Sequence, residues 1–134
     1  MKIVLDEGAM VSRAHPTDAG LDLYARNDVW IRPLDREFLD TGVHVEIPPN
    51  TVGFIKSRSG LLKRGVFTDG TIDCGYIGSI GVFLYNHSKG DIFIKKGDRI
   101  AQLVIVPCLL PELEVVDELS PTDRGDNGFG STGR

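Results

Sequence analysis

Along most of the chain apolar residues alternate with polar ones or gather in short runs, and turn-forming residues separate the runs, which is the pattern of an all-β domain. It predicts strands at Lys2–Leu5, Leu21–Ala25, Val29–Arg32, Gly42–Ile47, Val52–Ser57, Ile80–Asn86, Ile92–Ile94, Ile100–Val106 and Glu114–Val116. Pro48-Pro49-Asn50, His87-Ser88-Lys89-Gly90 and Lys96-Gly97-Asp98 are the turns between them, because Pro presets φ while Gly and Asn accept tight reversals. Only Gly60–Arg64 tolerates a short helix, and no segment carries a helical apolar stripe over several turns. Many short strands in one small domain predict a sandwich, barrel or jelly roll.

Length and charge narrow the picture. A chain of 134 residues makes one domain that buries roughly two thirds of its unfolded surface, so no covalent staple is required. Met1–Leu5 runs directly into Asp6 and Glu7, too short for an export signal, and no apolar run approaches the ~20 residues of a membrane span. A soluble, cytoplasmic protein with no membrane partner is expected. Cys74 and Cys108 form no close-spaced pair, and His15, His44 and His87 are scattered; no zinc pattern results, and both thiols are expected to be reduced. The net charge of −4 argues against binding nucleic-acid backbone, which favours a basic surface. Any phosphate site must therefore be local.

Candidate chemistry lies in five places. The tail Arg124–Arg134 is rich in glycine and ends the chain. Arg124 can grip a phosphate with its planar fork, Gly130 and its neighbouring glycines leave the backbone free to close, Ser131 and Thr132 offer hydroxyls, and Phe129 offers a flat apolar face. Gly128–Gly133 satisfies the letter of a dinucleotide fingerprint but has no helix to open, and a P-loop fails for the same reason and for want of its Lys. Arg124-Gly125-Asp126 is read as an accidental adhesion tripeptide. The tail reads either as a frayed end or as a mobile flap over an aromatic, phosphorylated ligand.

Ser57-Arg58-Ser59-Gly60 follows an apolar strand and precedes the possible helical turn, so a guanidinium, hydroxyls and backbone N–H groups can converge on an anion. Taken singly it is an exposed turn with a surface Arg. Gly70–Gly78 reads as a hairpin of close backbone approach, whose peptide groups could pair with a flat base while Asp73 and Tyr76 face the sugar and the reacting centre. Taken singly it is an ordinary hairpin. Ala19–Leu23 and Gly97–Leu103 each set a polar residue, Asp22 and Gln102, inside an apolar run, where a buried amide or carboxylate must find partners.

In order along the chain these segments resemble the five motifs of the homotrimeric deoxyuridine triphosphatase (dUTPase) family. Ala19–Leu23 looks like the first, Arg58-Ser59-Gly60 the second, Gly70–Asp73 through Tyr76 and Gly78 the third, Gly97–Leu103 the fourth, and Arg124-Gly125 with Gly128–Gly133 the fifth. The resemblance spans residues 19 to the end. It implies an all-β, distorted jelly-roll or β-clip-type barrel over residues 1–119, trimeric, with a flexible C-terminal arm over 120–134 that closes on an active site of the trimer. It also implies a Mg²⁺-dependent hydrolysis of dUTP to dUMP and pyrophosphate, supplying dUMP for thymidylate synthesis and keeping uracil out of DNA.

Carried onto this chain, the family's roles make Asp73 the base for the attacking water and Gln102 a residue that orients the reacting phosphate. Arg58, Ser59 and Gly60 would bind phosphate oxygens from a second subunit, and Asp22 would support the metal's water shell or the motif network. Peptide groups around Thr71, Ile72 and Gly81 would read uracil, and Tyr76 would leave no room for a 2′-hydroxyl. Phe129 would stack on the base, with Arg124, Gly130, Ser131 and Thr132 arriving on the tail of a third subunit. The chain departs from the family's habit at Ser57, often Pro, at Ser79, often Glu, Gln or Asn, at Phe67, near a frequent Asn, and in a shorter spacing from Gly60 to Asp73. A dCTP deaminase on the same fold needs an acid in the strand Gly81–Asn86, which has none. A non-enzymatic trimer is the other alternative, and a regulatory protein partner is compatible with hydrolysis.

Overall fold

The computed structural model describes residues 1–128. Its elements are β1 (Ile3–Leu5), β2 (Val11–Ser12), β3 (Gly20–Tyr24), β4 (Val29–Ile31), β5 (Arg36–Asp40), β6 (Val43–Val45), β7 (Thr51–Lys56), α1 (Ser59–Lys63), β8 (Val66–Phe67), β9 (Asp69–Ile72), β10 (Gly81–Asn86), β11 (Ile92–Ile94) and β12 (Arg99–Pro107). They form a five-stranded sheet in the order β2-β3-β12-β7-β9, a three-stranded sheet β5-β10-β8, and two-stranded ladders β1-β6 and β4-β11. Every pairing is antiparallel. This is the all-β jelly roll that the alternating pattern and the family resemblance imply. Among the described residues no helix is long and apolar enough to cross a membrane.

The alternation explains the core. In β10 Val82, Leu84 and Asn86 point inward while Phe83 and Tyr85 do not, and in β6 Val43 and Val45 flank an outward His44. Leu23, Ile31, Ile55, Ile94 and Leu103 complete the apolar interior. β12 breaks the rhythm: its register against β3 shifts between Arg99 and Ala101. The extra residue, Ile100, is buried beside buried Ala101, a bulge that resets the phase of the strand. From there on Ala101 and Leu103 face the core and Gln102 faces out of it.

Four strands were not legible in the pattern. β5 reads Arg-Glu-Phe-Leu-Asp and buries only Leu39 well, so its alternation is too thin to stand out; pairing with β10 recruits it. β2, β8 and β9 are likewise short pieces held by a neighbour. Two expectations are corrected. Gly70–Gly78 is not a hairpin: β9 pairs with β7, where Gly70 lies against Ile55, and the residues after Ile72 form a loop. Glu114–Val116 is not a strand; Leu113 and Val115 are almost fully exposed, so no neighbouring edge among the described residues covers them. The predicted short helix is present as α1, pinned by buried Leu61.

Candidate active site

The sheet register builds the first half of the site. Gln102 of β12 stands opposite Asp22 of β3 on one side and Lys56 of β7 on the other. Ser12 of β2 stands opposite Asp22, and Asp69 of β9 opposite Lys56. One polar row therefore crosses all strands of the larger sheet on a single face, since directly opposed residues share a face. Lys56 donates to Asp69 and holds that carboxyl below its usual range.

Asp22 is the organiser of this row. It is only 8% exposed, and its two oxygens meet different guanidinium groups: Arg58 Nε lies 3.0 Å from Oδ1 and Arg99 Nη1 3.2 Å from Oδ2. A carboxylate withdrawn from water requires such compensation. Arg58 is extended at the N-cap of α1, so its side chain turns back across the sheet while Ser59 and Gly60 begin the helical turn. The N–H groups of Ser59 and Gly60 precede the first intrahelical bonds, which Leu61 and Leu62 donate to the Arg58 carbonyl, and so remain available to an anion. Asp22, Arg58 and Ser59 line a groove of ≈ 290 Å³ with Gly20, Arg99 and Gln102.

Gln102 is held at both ends. Its Nε2 donates to the Ser57 carbonyl at 3.3 Å, and Ser57 is itself fixed because its hydroxyl donates to the Thr68 carbonyl and accepts from the Thr68 N–H. Ser57, where the family often has Pro, thus replaces ring rigidity by a pair of hydrogen bonds. On the other side, a β-carbon on Gly20 would overlap Oε1 and Cβ of Gln102. Glycine here leaves space for the amide. Gly20→Ala is expected to push the Gln102 amide aside and, through the orienting role the resemblance implies for it, to lower kcat by up to about 10²-fold, the effect of an ångström of misplacement, with the melting temperature little changed; parallel kinetics and thermal melts check it.

The second half lies elsewhere. Thr71 and Ile72 end β9, the edge of its sheet, so among the described residues the peptide groups on that edge have no strand partner. Asp73 and Tyr76 follow in an exposed loop, where the Tyr76 N–H donates to the Asp73 carbonyl and the Tyr76 hydroxyl to the Ser79 carbonyl. Gly81 opens β10 opposite Asp40. Because Asp69, not Asp73, shares the row of Gln102, the end of β9 at Ile72 lies about 10 Å along the sheet and about 10 Å across it from Gln102 of the same chain, and Asp73 follows in the loop beyond it. Within one chain Asp73 and Gln102 stand on different parts of the sheet.

The chain thus gathers Asp22, Arg58, Ser59, Gly60 and Gln102 in one place and Thr71, Ile72, Asp73 and Tyr76 in another. Arg124 joins neither group; its Nε donates to the Asn127 carbonyl 2.9 Å away. Phe129, Gly130, Ser131 and Thr132 lie outside the described residues. Sequence reasoning missed Arg99 as the second partner of Asp22, although its place in the Gly97–Leu103 segment was a signal. Phe67 sits in β8 opposite Tyr85, edge-on to His87. β10 carries no acidic side chain, leaving the deaminase without its base.

The model of the family described as dUTPase matches residues 6–133. The chain belongs to the dUTPase family. The deoxyuridine 5'-triphosphate nucleotidohydrolase of Gloeothece citriformis is 46% identical over 96% of this chain and 92% of its own. Among solved structures, the dUTPase of Staphylococcus bacteriophage 80alpha with dUPNHPP superposes with a TM-score of 0.91 at 34% identity, covering 99% of this chain and 98% of that one. A mutant dUTPase from phage phi11 of S. aureus, whose structure reveals coordination of a structural Mg(II) ion, is 33% identical with a TM-score of 0.80 over 87% of this chain and 96% of its own. All five dUTPase-like segments fall inside the matched range.

Proposed function

We propose that the chain hydrolyses dUTP to dUMP and pyrophosphate at sites that each draw on three copies of it, with Mg²⁺ as cofactor. The hydrolysis follows from dUTPase membership. The shared site is supported by one observation above all: Asp73 stands far from the Asp22–Arg58–Gln102 cluster within a chain, so a base and a phosphate clamp can face each other only across a subunit boundary. Exposed apolar surface supports the assembly. Phe38, Phe67 and Phe83 project from the smaller sheet, and Leu109, Leu113, Val115 and Leu119 lie bare along an extended segment. A single copy would not leave so much apolar surface in water without a partner to cover it. Residues 1–119 would form the domain and 120–134 the arm that reaches a third subunit.

In this reading Arg58, with the N–H groups and hydroxyl at Ser59 and Gly60, binds the phosphate chain from one subunit, while Gln102 orients the phosphate under attack. From the neighbour, Asp73 holds a water and takes its proton as the water attacks the α-phosphorus. Transfer at phosphorus asks for in-line placement and charge compensation more than covalent help. The open edge at Thr71 and Ile72 offers peptide donors and acceptors to uracil; cytosine reverses two of them and leaves buried groups unpaired, a strong discriminator. Tyr76 against the sugar excludes a 2′-hydroxyl. Arg124, Phe129, Gly130, Ser131 and Thr132 close the site from the third subunit and exclude water.

The donor set suits a Mg²⁺ ion that arrives on the triphosphate. Among the described residues no three His, Cys, Asp or Glu side chains gather into a cage, and both oxygens of Asp22 already meet arginines. Mg²⁺ keeps several waters and favours phosphate oxygens, so Asp22 would touch it through water. When bound, the ion compensates charge on the triphosphate. The biological consequence is a supply of dUMP for thymidylate synthesis and a low dUTP pool that keeps uracil out of DNA, in the cytoplasm.

The direct test incubates the protein with Mg²⁺ and, separately, dUTP, dCTP, dTTP and UTP. Pyrophosphate and dUMP from dUTP alone is the expected result. Untouched dUTP would move the protein to a purely binding role, and deaminated dCTP would make it the rival enzyme.

A further inference from the structure

The loop that carries Asp73 and Tyr76 is fastened to the body at its two ends. The β7–β9 ladder holds it at Ile72. At the far end the Ser79 hydroxyl donates to Asp40, and the Ile80 carbonyl accepts from both the N–H and the hydroxyl of Thr41. Between them, among the described residues, a single hydrogen bond reaches the body: His44 Nδ1 to the Ile77 carbonyl at 3.0 Å. The other bonds, Tyr76 N–H to Asp73 and Tyr76 hydroxyl to Ser79, are internal.

A carbonyl only accepts, so Nδ1 must carry a proton. The opposite ring nitrogen, Nε2, lies 3.3 Å from Asp6 Oδ1, and an ionised carboxylate also only accepts. Two acceptors on two ring nitrogens are satisfied together by imidazolium alone. We propose that His44, as a doubly protonated clamp between Asp6 and the Ile77 carbonyl, positions the loop that presents Asp73 and Tyr76 to substrate.

The surrounding charges agree. Asp6 follows β1, Asp40 ends β5, and Arg26 reaches both, at 3.5 Å and 3.0 Å. Lys2 and Glu46 pair at 2.8 Å along the same groove, which His44 and Ile77 help to line. Asp6, Asp40 and Glu46 thus share this region with Arg26, Lys2 and the α-ammonium group of Met1, which acts on Glu46. The Ile77 carbonyl foremost, then Asp6 and Asp40, raise the His44 pKa above its ordinary value of 6.5.

The sign follows. A raised folded-state pKa means the clamp is complete below pH 6.5 and is lost as pH rises through the raised value. A neutral ring can serve one acceptor only. An ionised carboxylate is a stronger acceptor than a peptide carbonyl, so in this proposal the remaining proton moves to Nε2, toward Asp6, and Ile77 is released. This device rests on the proposed roles of Asp73 and Tyr76 for its functional half; its titration half does not.

The experiment has two arms. In the ligand-free protein with ¹⁵N-labelled histidine, the His44 ring is expected to titrate above 6.5 into the Nε2–H tautomer, with the amide signals of residues 74–78 following the same curve. In steady-state kinetics, KM for dUTP is expected to rise by about two- to tenfold through that titration, the worth of one hydrogen bond. His44→Gln should flatten this dependence, and Asp6→Asn should move its midpoint to lower pH. Titration of the substrate's own phosphate would be unmoved by Asp6→Asn, which separates the two. A ring that titrates at or below 6.5, or loop amides indifferent to it, overturns the clamp. A ring that titrates as described while wild type and Asp6→Asn share one KM profile overturns the positioning role; the proposed hydrolysis then stands or falls separately on Asp73.

Discussion

Asp73→Asn is expected to lower kcat for dUTP hydrolysis by about 10²–10⁴-fold, the usual contribution of a positioned proton acceptor, while leaving substrate binding and assembly nearly unchanged. Asparagine keeps the size and shape of the side chain but cannot take a proton from water. The position is exposed, so the exchange carries little folding cost. Turnover measured beside dUTP binding by calorimetry checks it, and near-wild-type kcat would remove Asp73 as the base. The geometry adds a sharper version. If each site draws Asp73 and Arg58 from different subunits, as proposed, Asp73→Asn and Arg58→Ala chains refolded together should recover activity that neither has alone. Recovery requires intact halves from different subunits to meet, so a mixture as inactive as its components would sink the shared site.

Truncation after Ser120 is expected to leave a folded, assembled protein whose kcat/KM is lower by about 10²–10³-fold, the cost of losing one preorganised charge-stabilising donor. The described part of the tail bonds mainly to itself, Gly125 N–H to Thr122 and Arg124 Nε to Asn127, and its residues are exposed. Removing it therefore withdraws little from the core. What is lost is Arg124 and the Phe129–Thr132 cover of the proposed flap, which compensate phosphate charge and exclude water. Size-exclusion chromatography and melting curves would verify the fold beside the kinetics. Full activity in the truncated chain would overturn the flap.

Strands with strong alternation were legible because burial writes itself into sequence with a period of two: β10 shows Val82, Leu84 and Asn86 inward, and Ile92 and Ile94 do the same in β11. β5 was not legible, since Leu39 is its one well-buried residue and its place comes from β10. Glu114–Val116 shows the converse. Its composition favours a strand, yet composition supplies no partner, and among the described residues there is none.

Residue types and their order by themselves determined the family. Arg58-Ser59-Gly60, Asp73, Gln102 and the Arg124-containing tail fall in segments that resemble the dUTPase motifs, and motifs of that kind are short local spacings readable without the fold. Only tertiary structure decided which of these groups meet. Register places Gln102 beside Asp22 and Lys56, and puts Asp69 rather than Asp73 in that row; a bulge at Ile100 sets which way Gln102 faces. Strand pairing joins residues far apart in sequence, so no local pattern records it. Arg99 on Asp22 and His44 between Asp6 and Ile77 are of that kind: contacts made by side chains that the fold brings together across long separations of chain.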